Sequence, residues 1–158
     1  MSYVDLLFNR DQGLTGILRI ESKSAEGTSA HVVIASQVGN NAGGTPYCPP
    51  LDAEGRYVYL GFMTENPSAA NGFRPAGRWV AVKLAIGSED VASFRHESSL
   101  YQGALASLQG DVVPVFYGTW EALASDATKG NKRKDRACIL LEWCGGDMPR
   151  KYRDSDEL

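Results

Sequence analysis

Hydrophobic residues along this chain come mostly in short blocks separated by turn-forming residues, a rhythm that favours strands over helices. Val4 to Asn9 and Leu14 to Glu21 read as two short strands with Gln12-Gly13 turning between them. His31-Val32-Val33-Ile34-Ala35 reads as another, and so does the run Arg56-Tyr57-Val58-Tyr59-Leu60-Gly61-Phe62-Met63. Residues 39–55 hold four glycines and three prolines, a composition that resists both helix and sheet and predicts a loop. A second loop, Thr64 to Ala76, carries Asn66-Pro67 and Asn71-Gly72 and links neighbouring strands as a long hairpin.

The run Arg78-Trp79-Val80-Ala81-Val82-Lys83-Leu84 is apolar but for one internal lysine, which predicts a buried strand offering a single cation. The pattern then changes period. Val91, Phe94, Ser98, Tyr101, Leu105 and Leu108 recur every three or four residues, the stripe of one helix packed on a sheet. Ser88 stands where an N-cap is expected, and Glu89 and Asp90 favour the positive end of the helix dipole. Gly103 costs on the order of 1 kcal/mol relative to alanine and predicts a bend. Glu97 lies three residues after Phe94 and four before Tyr101, so its carboxylate falls on the buried stripe and needs a cation to offset its desolvation. Lys83 is the natural candidate; a strand-end lysine in solvent and a glutamate beside Arg95 or His96 are the alternatives the sequence leaves open. Val112 to Trp120 and Ala137-Cys138-Ile139-Leu140-Leu141 read as two more strands, the second running into Glu142-Trp143-Cys144-Gly145-Gly146-Asp147. The expected fold is a single α+β domain, a twisted antiparallel sheet of about five strands with one main helix packed on it.

The chain has 158 residues, 43% of them hydrophobic, enough for one domain that buries roughly two-thirds of its unfolded surface. A net charge of −3 and a pI near 5.4 give no general reason to expect nucleic-acid or anionic-membrane binding. The three cysteines, Cys48, Cys138 and Cys144, lack paired spacing and read as reduced thiols of a cytoplasmic protein. Asp5, Asn9, Arg10 and Asp11 interrupt any signal-peptide core. The terminal Ser155-Asp156-Glu157-Leu158 is similar to a retention signal of the endoplasmic reticulum, but reads as a charged tail on a chain with no route into that lumen. Lys129, Lys132, Arg133, Lys134 and Arg136 form a basic stretch, a solvated loop or a patch for nuclear import or an acidic partner.

Val80-Ala81-Val82-Lys83, then Glu97, then Leu140-Leu141-Glu142-Trp143-Cys144-Gly145-Gly146-Asp147 resembles, in order and roughly in spacing, the amino-terminal, nucleotide-binding lobe of a protein kinase. The likeness is closest to divergent kinase-like proteins of fungi, in which a helix ending in Ser107-Leu108-Gln109-Gly110 precedes Val113-Pro114-Val115-Phe116-Tyr117-Gly118. On this resemblance residues 55–149 are the lobe-like region, 1–54 a β-rich extension with the glycine loop, and 150–158 a charged tail.

The resemblance implies an ATP pocket. Lys83 would reach the α- and β-phosphates and Glu97 would hold it there. Val58 and Ala81 would close over the adenine, Leu141 would guard the back of the pocket, and Glu142 and Cys144 would offer backbone groups to the adenine edge. Asp147 would reach the ribose. The glycine flap departs from the pattern: Gly55 stands one place early for the usual G-x-V ending, and Gly39-Asn40-Asn41-Ala42-Gly43-Gly44 serves only with a long insertion after it. The H-R-D and D-F-G tripeptides that carry the catalytic aspartate and the magnesium ligands do not occur in these residues. The expectation is therefore a truncated kinase-like chain without the helical catalytic lobe, with weak ATP binding, no metal ligands and no phosphoryl transfer. The rival expectation is a non-catalytic module that docks a protein partner through its apolar linker face.

Overall fold

The computed structural model describes residues 2–10, 13–22, 29–38, 46, 48–50, 52–64, 77–124 and 134–145. In chain order they form β1 (Ser2–Arg10), β2 (Gly13–Ser22), β3 (Ala30–Gln37), β4 (Gly55–Thr64), β5 (Gly77–Ile86), the helix α1 (Ser88–Gln102), a 3-10 turn (Ala106–Leu108), β6 (Phe116–Ala122) and β7 (Arg136–Glu142). The seven strands make one sheet in the order β2-β1-β3-β4-β5-β7-β6. All neighbours are antiparallel except β1 and β3, which run parallel with Val4 opposite Ala30 and Phe8 opposite Ile34. The edge strands β2 and β6 approach each other, so the sheet curls into a nearly closed barrel.

The expected sheet of about five antiparallel strands is thus corrected to seven strands with a parallel pair and a near-closed curl. The reason lies in the first hairpin. Alternation along β1 and β2 puts Val4, Leu6, Phe8, Leu18 and Ile20 on one face, where each is at most 6% exposed. Such a face must be covered, and it is covered by joining the sheet and bending inward over Val80, Val82, Leu84 and Ile86. β1, β2 and β3, all from the residues before 55, therefore share one sheet and one core with β4 to β7.

The barrel interior holds Val32, Ile34, Tyr59, Trp120, Cys138 and Leu140 beside those residues, with Phe8 edge-on to Tyr59 at 5.3 Å between centroids. Gly61 shows how tightly the strands curl: a Cβ there would stand 2.5 Å from Val32 Cγ1 and 3.2 Å from Val82 Cγ2. A smaller core lies outside the barrel, where α1 sets Val91 and Phe94 on Ala85, Ala137, Ile139 and Leu141.

Three local expectations are also corrected. Gly87, not Ser88, caps α1, with φ +112° and its carbonyl accepting from Val91 N–H. The helix ends at Gln102 and not near Gly110, because Gly103 leaves helical backbone and its N–H turns back to the carbonyls of Ser99 and Leu100; Leu105 and Leu108 fall outside the stripe. β6 begins at Phe116 and not at Val112, since Gly110 N–H bonds Val113 carbonyl in a tight turn and Pro114 has no N–H to give a ladder. Cys48, Cys138 and Cys144 are free thiols, and no described helix is long and apolar enough to cross a membrane.

Candidate functional site

Strand β5 serves two cores at once. Val80, Val82, Leu84 and Ile86 point into the barrel, so the alternating Trp79, Ala81, Lys83 and Ala85 take the outer face. The ladder fixes their neighbours there. Lys83 lies between Val58 on β4 and Ile139 on β7, and Ala81 lies between Leu60 and Leu141. Val58, Ala81, Lys83 and Leu141 thus share one face of three adjacent strands, the face on which α1 is packed.

α1 brings Glu97 to this face. Lys83 Nζ donates to both carboxylate oxygens of Glu97 at 2.5 Å, and the two side chains are 27% and 28% exposed. The ammonium also stands 5.4 Å from the Phe94 ring centroid, within reach of the negative face of that ring. An ammonium carries three N–H donors. Two are committed to Glu97, and the carboxylate keeps the long lysine stem in one orientation.

Pairings that sequence reasoning did not foresee hold the helix in place. Arg95 Nε donates to both Glu121 oxygens at 2.9 Å, Ser98 Oγ and Thr119 Oγ1 are 2.8 Å apart, and Tyr101 stacks on Phe116 at 5.4 Å. Arg56 Nε donates to Asp90 at 2.6 Å, tying the first turn of α1 to β4. None of these pairs has a local sequence signal, because each joins residues more than a dozen positions apart. Burial pushes the Tyr101 phenol above its ordinary pKa, and the neighbouring Glu97 carboxylate and Cys144 add to the rise.

The linker after β7 is anchored on both sides. Glu142 N–H donates to Val115 carbonyl at 2.8 Å, and Glu142 Oε2 accepts from Val115 N–H at 3.1 Å. Trp143 N–H reaches Trp79 carbonyl at 3.4 Å. The N–H of Glu142 is therefore committed within the protein, while Cys144 and Gly145 are exposed. Asp147, the loops at 39–45 and 65–76, Lys129, Lys132, Arg133 and the tail at 150–158 lie outside the described residues. The two basic positions that are described do not act as one patch: Lys134 Nζ donates to Glu54 at 2.7 Å, and Arg136 is buried at the start of β7.

Two clusters lie away from this face. Asp5, 7% exposed at its side chain, takes both Arg19 Nε at 2.6 Å and Arg19 Nη2 at 2.7 Å, with His31 Nδ1 at 3.4 Å and the guanidinium over the Tyr3 ring. Burial pushes the thiols of Cys48 and Cys138 up, the second strongly because it is fully enclosed in the barrel. Comparison of the chain with protein-family models, with curated proteins and with solved structures gave no match.

Proposed function

We propose that this chain is a kinase-like nucleotide-binding protein that takes the phosphates of ATP at Lys83, with Glu97 as the residue that orients it. The observation that carries the reading is the ion pair itself: a lysine from the middle of a sheet and a glutamate from the packed face of α1, at 2.5 Å, on the surface that also bears Val58, Ala81 and Leu141. An ammonium that is half-buried and already neutralised binds phosphate weakly but with a defined direction. Val58 and Ala81 offer apolar ground for the base, and the exposed Cys144 follows two residues after the end of β7. Magnesium ligands and a catalytic aspartate are not part of this reading, so the proposed activity is binding without phosphoryl transfer, in the cytoplasm, with no nucleic-acid or membrane partner.

Titration of ATP and ADP, with and without magnesium, into the wild type and Lys83→Met tests this. Saturable binding that the substitution weakens, with little dependence on magnesium, is the expected result. A folded wild type that gives no heat and no thermal shift with either nucleotide overturns it.

A second reading rests on a different observation. Leu100 (39% exposed), Leu108 (39%) and Val112 (71%) stand in successive turns beyond the middle of α1, beside the segment that holds the linker. Such apolar ground suits a protein partner docking at the linker side. Light scattering and pull-down with the wild type and a Leu108→Ser/Val112→Ser variant decide it; a clean monomer with no partner that depends on these residues counts against it.

A further inference from the structure

Along β6 three helix-facing residues meet three residues of α1 in step: Glu121 with Arg95, Thr119 with Ser98, and Phe116 with Tyr101. The helix spaces its rungs by three residues, which keeps them on one side. A regular strand spaces its own by two, so Glu121, Thr119 and residue 117 would face the helix and Phe116 would point into the barrel. The strand does otherwise. Its register shifts between Phe116 and Gly118, Tyr117 packs against the barrel core, and Phe116 packs against the core under α1.

This is a bulge, one extra residue that turns the rest of the strand over. It depends on Gly118, whose φ of +152° suits glycine and whose Cβ, were there one, would stand 3.0 Å from Trp120 Cη2. Gln109 then closes the third rung, donating through Nε2 to Tyr101 carbonyl at 2.8 Å and accepting Phe116 N–H at 2.9 Å.

Apolar packing alone fixes the helix poorly. Two of the sheet residues beneath it are alanines, Ala85 and Ala137, over which a helix can roll with little steric resistance. Ser98, 6% exposed, is the neighbour of Glu97 in sequence, so any roll that breaks Ser98 from Thr119 also carries Glu97 away from Lys83. We infer that the bulged β6 is a positioning device for the Lys83–Glu97 pair, with Ser98 and Thr119 as its positioning residues and Gly118 setting its phase. For ligand binding this rests on the nucleotide reading above; for the ion pair it stands alone.

The test is Thr119→Val, which keeps the shape and removes the hydroxyl, beside Thr119→Ser, which keeps the hydroxyl. Ser98 can then turn its hydroxyl to the carbonyl one turn back in its own helix, so the variant is expected to fold. The coupling between Lys83 and Glu97 is measured by thermal unfolding of Lys83→Met, Glu97→Gln and the double variant, in the wild-type and the Thr119→Val backgrounds. The expected result is a coupling reduced to less than about half by Thr119→Val and preserved by Thr119→Ser, since coupling falls when partners leave contact. ATP affinity is expected to fall about fivefold in Thr119→Val, about 0.7 of a tenfold step on the logarithmic affinity scale, and to show no further fall when Thr119→Val is added to Lys83→Met. An unchanged coupling in the Thr119→Val background overturns the inference. Failure of the wild type to bind ATP instead sinks the nucleotide reading and leaves the coupling measurement to decide the positioning.

Discussion

Replacing Glu97 by glutamine keeps the shape of the side chain and removes the charge that Lys83 faces at 2.5 Å. The cost follows from burial. Exposed pairs are worth about 0.2–1 kcal/mol, and breaking a fully buried one costs about 3–5 kcal/mol. At 27% and 28% exposure this pair lies between, so the loss is about 1–2 kcal/mol after screening by water. For a domain of this size about 1 kcal/mol moves the midpoint by roughly 2–4 °C, which predicts a Tm lower by about 3–6 °C for Glu97→Gln. Lys83→Met strands the carboxylate instead and is expected to fall by a similar amount. The double variant removes both charges and lays a methionine over Val58 and Ile139, so it should lose clearly less than the two single losses added together, because neither charge is left stranded. The assay is thermal unfolding of the four proteins at low salt and again at 1 M NaCl, where the Debye length shrinks to about 3 Å yet a part-buried pair is only partly screened. A double variant as unstable as the two single losses added together would refute the claim that the two charges are coupled.

Three further predictions follow from the same structure. Gly118→Ala forces a side chain into a positive-φ position against the Trp120 ring and is expected to lower Tm by about 3–6 °C, with a change in tryptophan emission; an unchanged spectrum and midpoint would show that the bulge tolerates a Cβ. Cys138 has its folded pKa raised above the ordinary thiol value of 9.0, so it keeps its proton in the folded state while the unfolded chain loses its own; stability is unaffected below pH 9 and falls above it by up to about 1.4 kcal/mol per pH unit, a slope that Cys138→Ala should flatten in chemical denaturation between pH 8.5 and about 10.5. Asp5→Asn leaves Arg19, half-exposed, free to reach water but removes a two-pronged charged contact, so a loss of about 1 kcal/mol by urea denaturation is expected, and no loss would mean the cluster is energetically idle.

How much of this was legible in the sequence depends on distance along the chain. The strands at Val4, Leu14, His31, Arg56, Arg78 and Ala137 and the helix after Ser88 stand in the observed elements, because each is written in its own local period. The number of strands in one sheet was not legible, since periodicity marks a buried face without saying what buries it. The hairpin of β1 and β2 had no local reason to pair parallel with β3, and the curl that brings β2 to β6 is a property of the whole sheet. At the site, Glu97 on the buried stripe announced a need for a cation, and the ladder sets Lys83 under it; the rungs on β6 needed a bulge that no hydrophobic pattern reveals.

The burial of individual strands ties the fold to the candidate site. β7 is buried at six successive positions, because one face lines the barrel and the other lies under α1, whereas β3 alternates buried and half-buried residues, one face inside and the other outside the barrel. An apolar run therefore marks where a strand is covered twice, and β5 reads that way except at its outer positions. Ala85 is covered; Trp79, Ala81 and Lys83 are only half-buried, as are Val58 and Phe62 beside them on β4. Apolar residues on the outside of a barrel, next to a cation that a helix holds in position, are costly to leave against water, and alternation offers the chain polar residues there at no loss to the inner core. In the nucleotide reading proposed above, this face is kept apolar for the base, beside the cation that would meet the phosphates. A polar substitution at Ala81, such as Ala81→Asp, should accordingly abolish nucleotide binding with a loss of stability of about 0.5–3 kcal/mol, the usual range for a single substitution; if binding survives it, the face is not where the ligand lies.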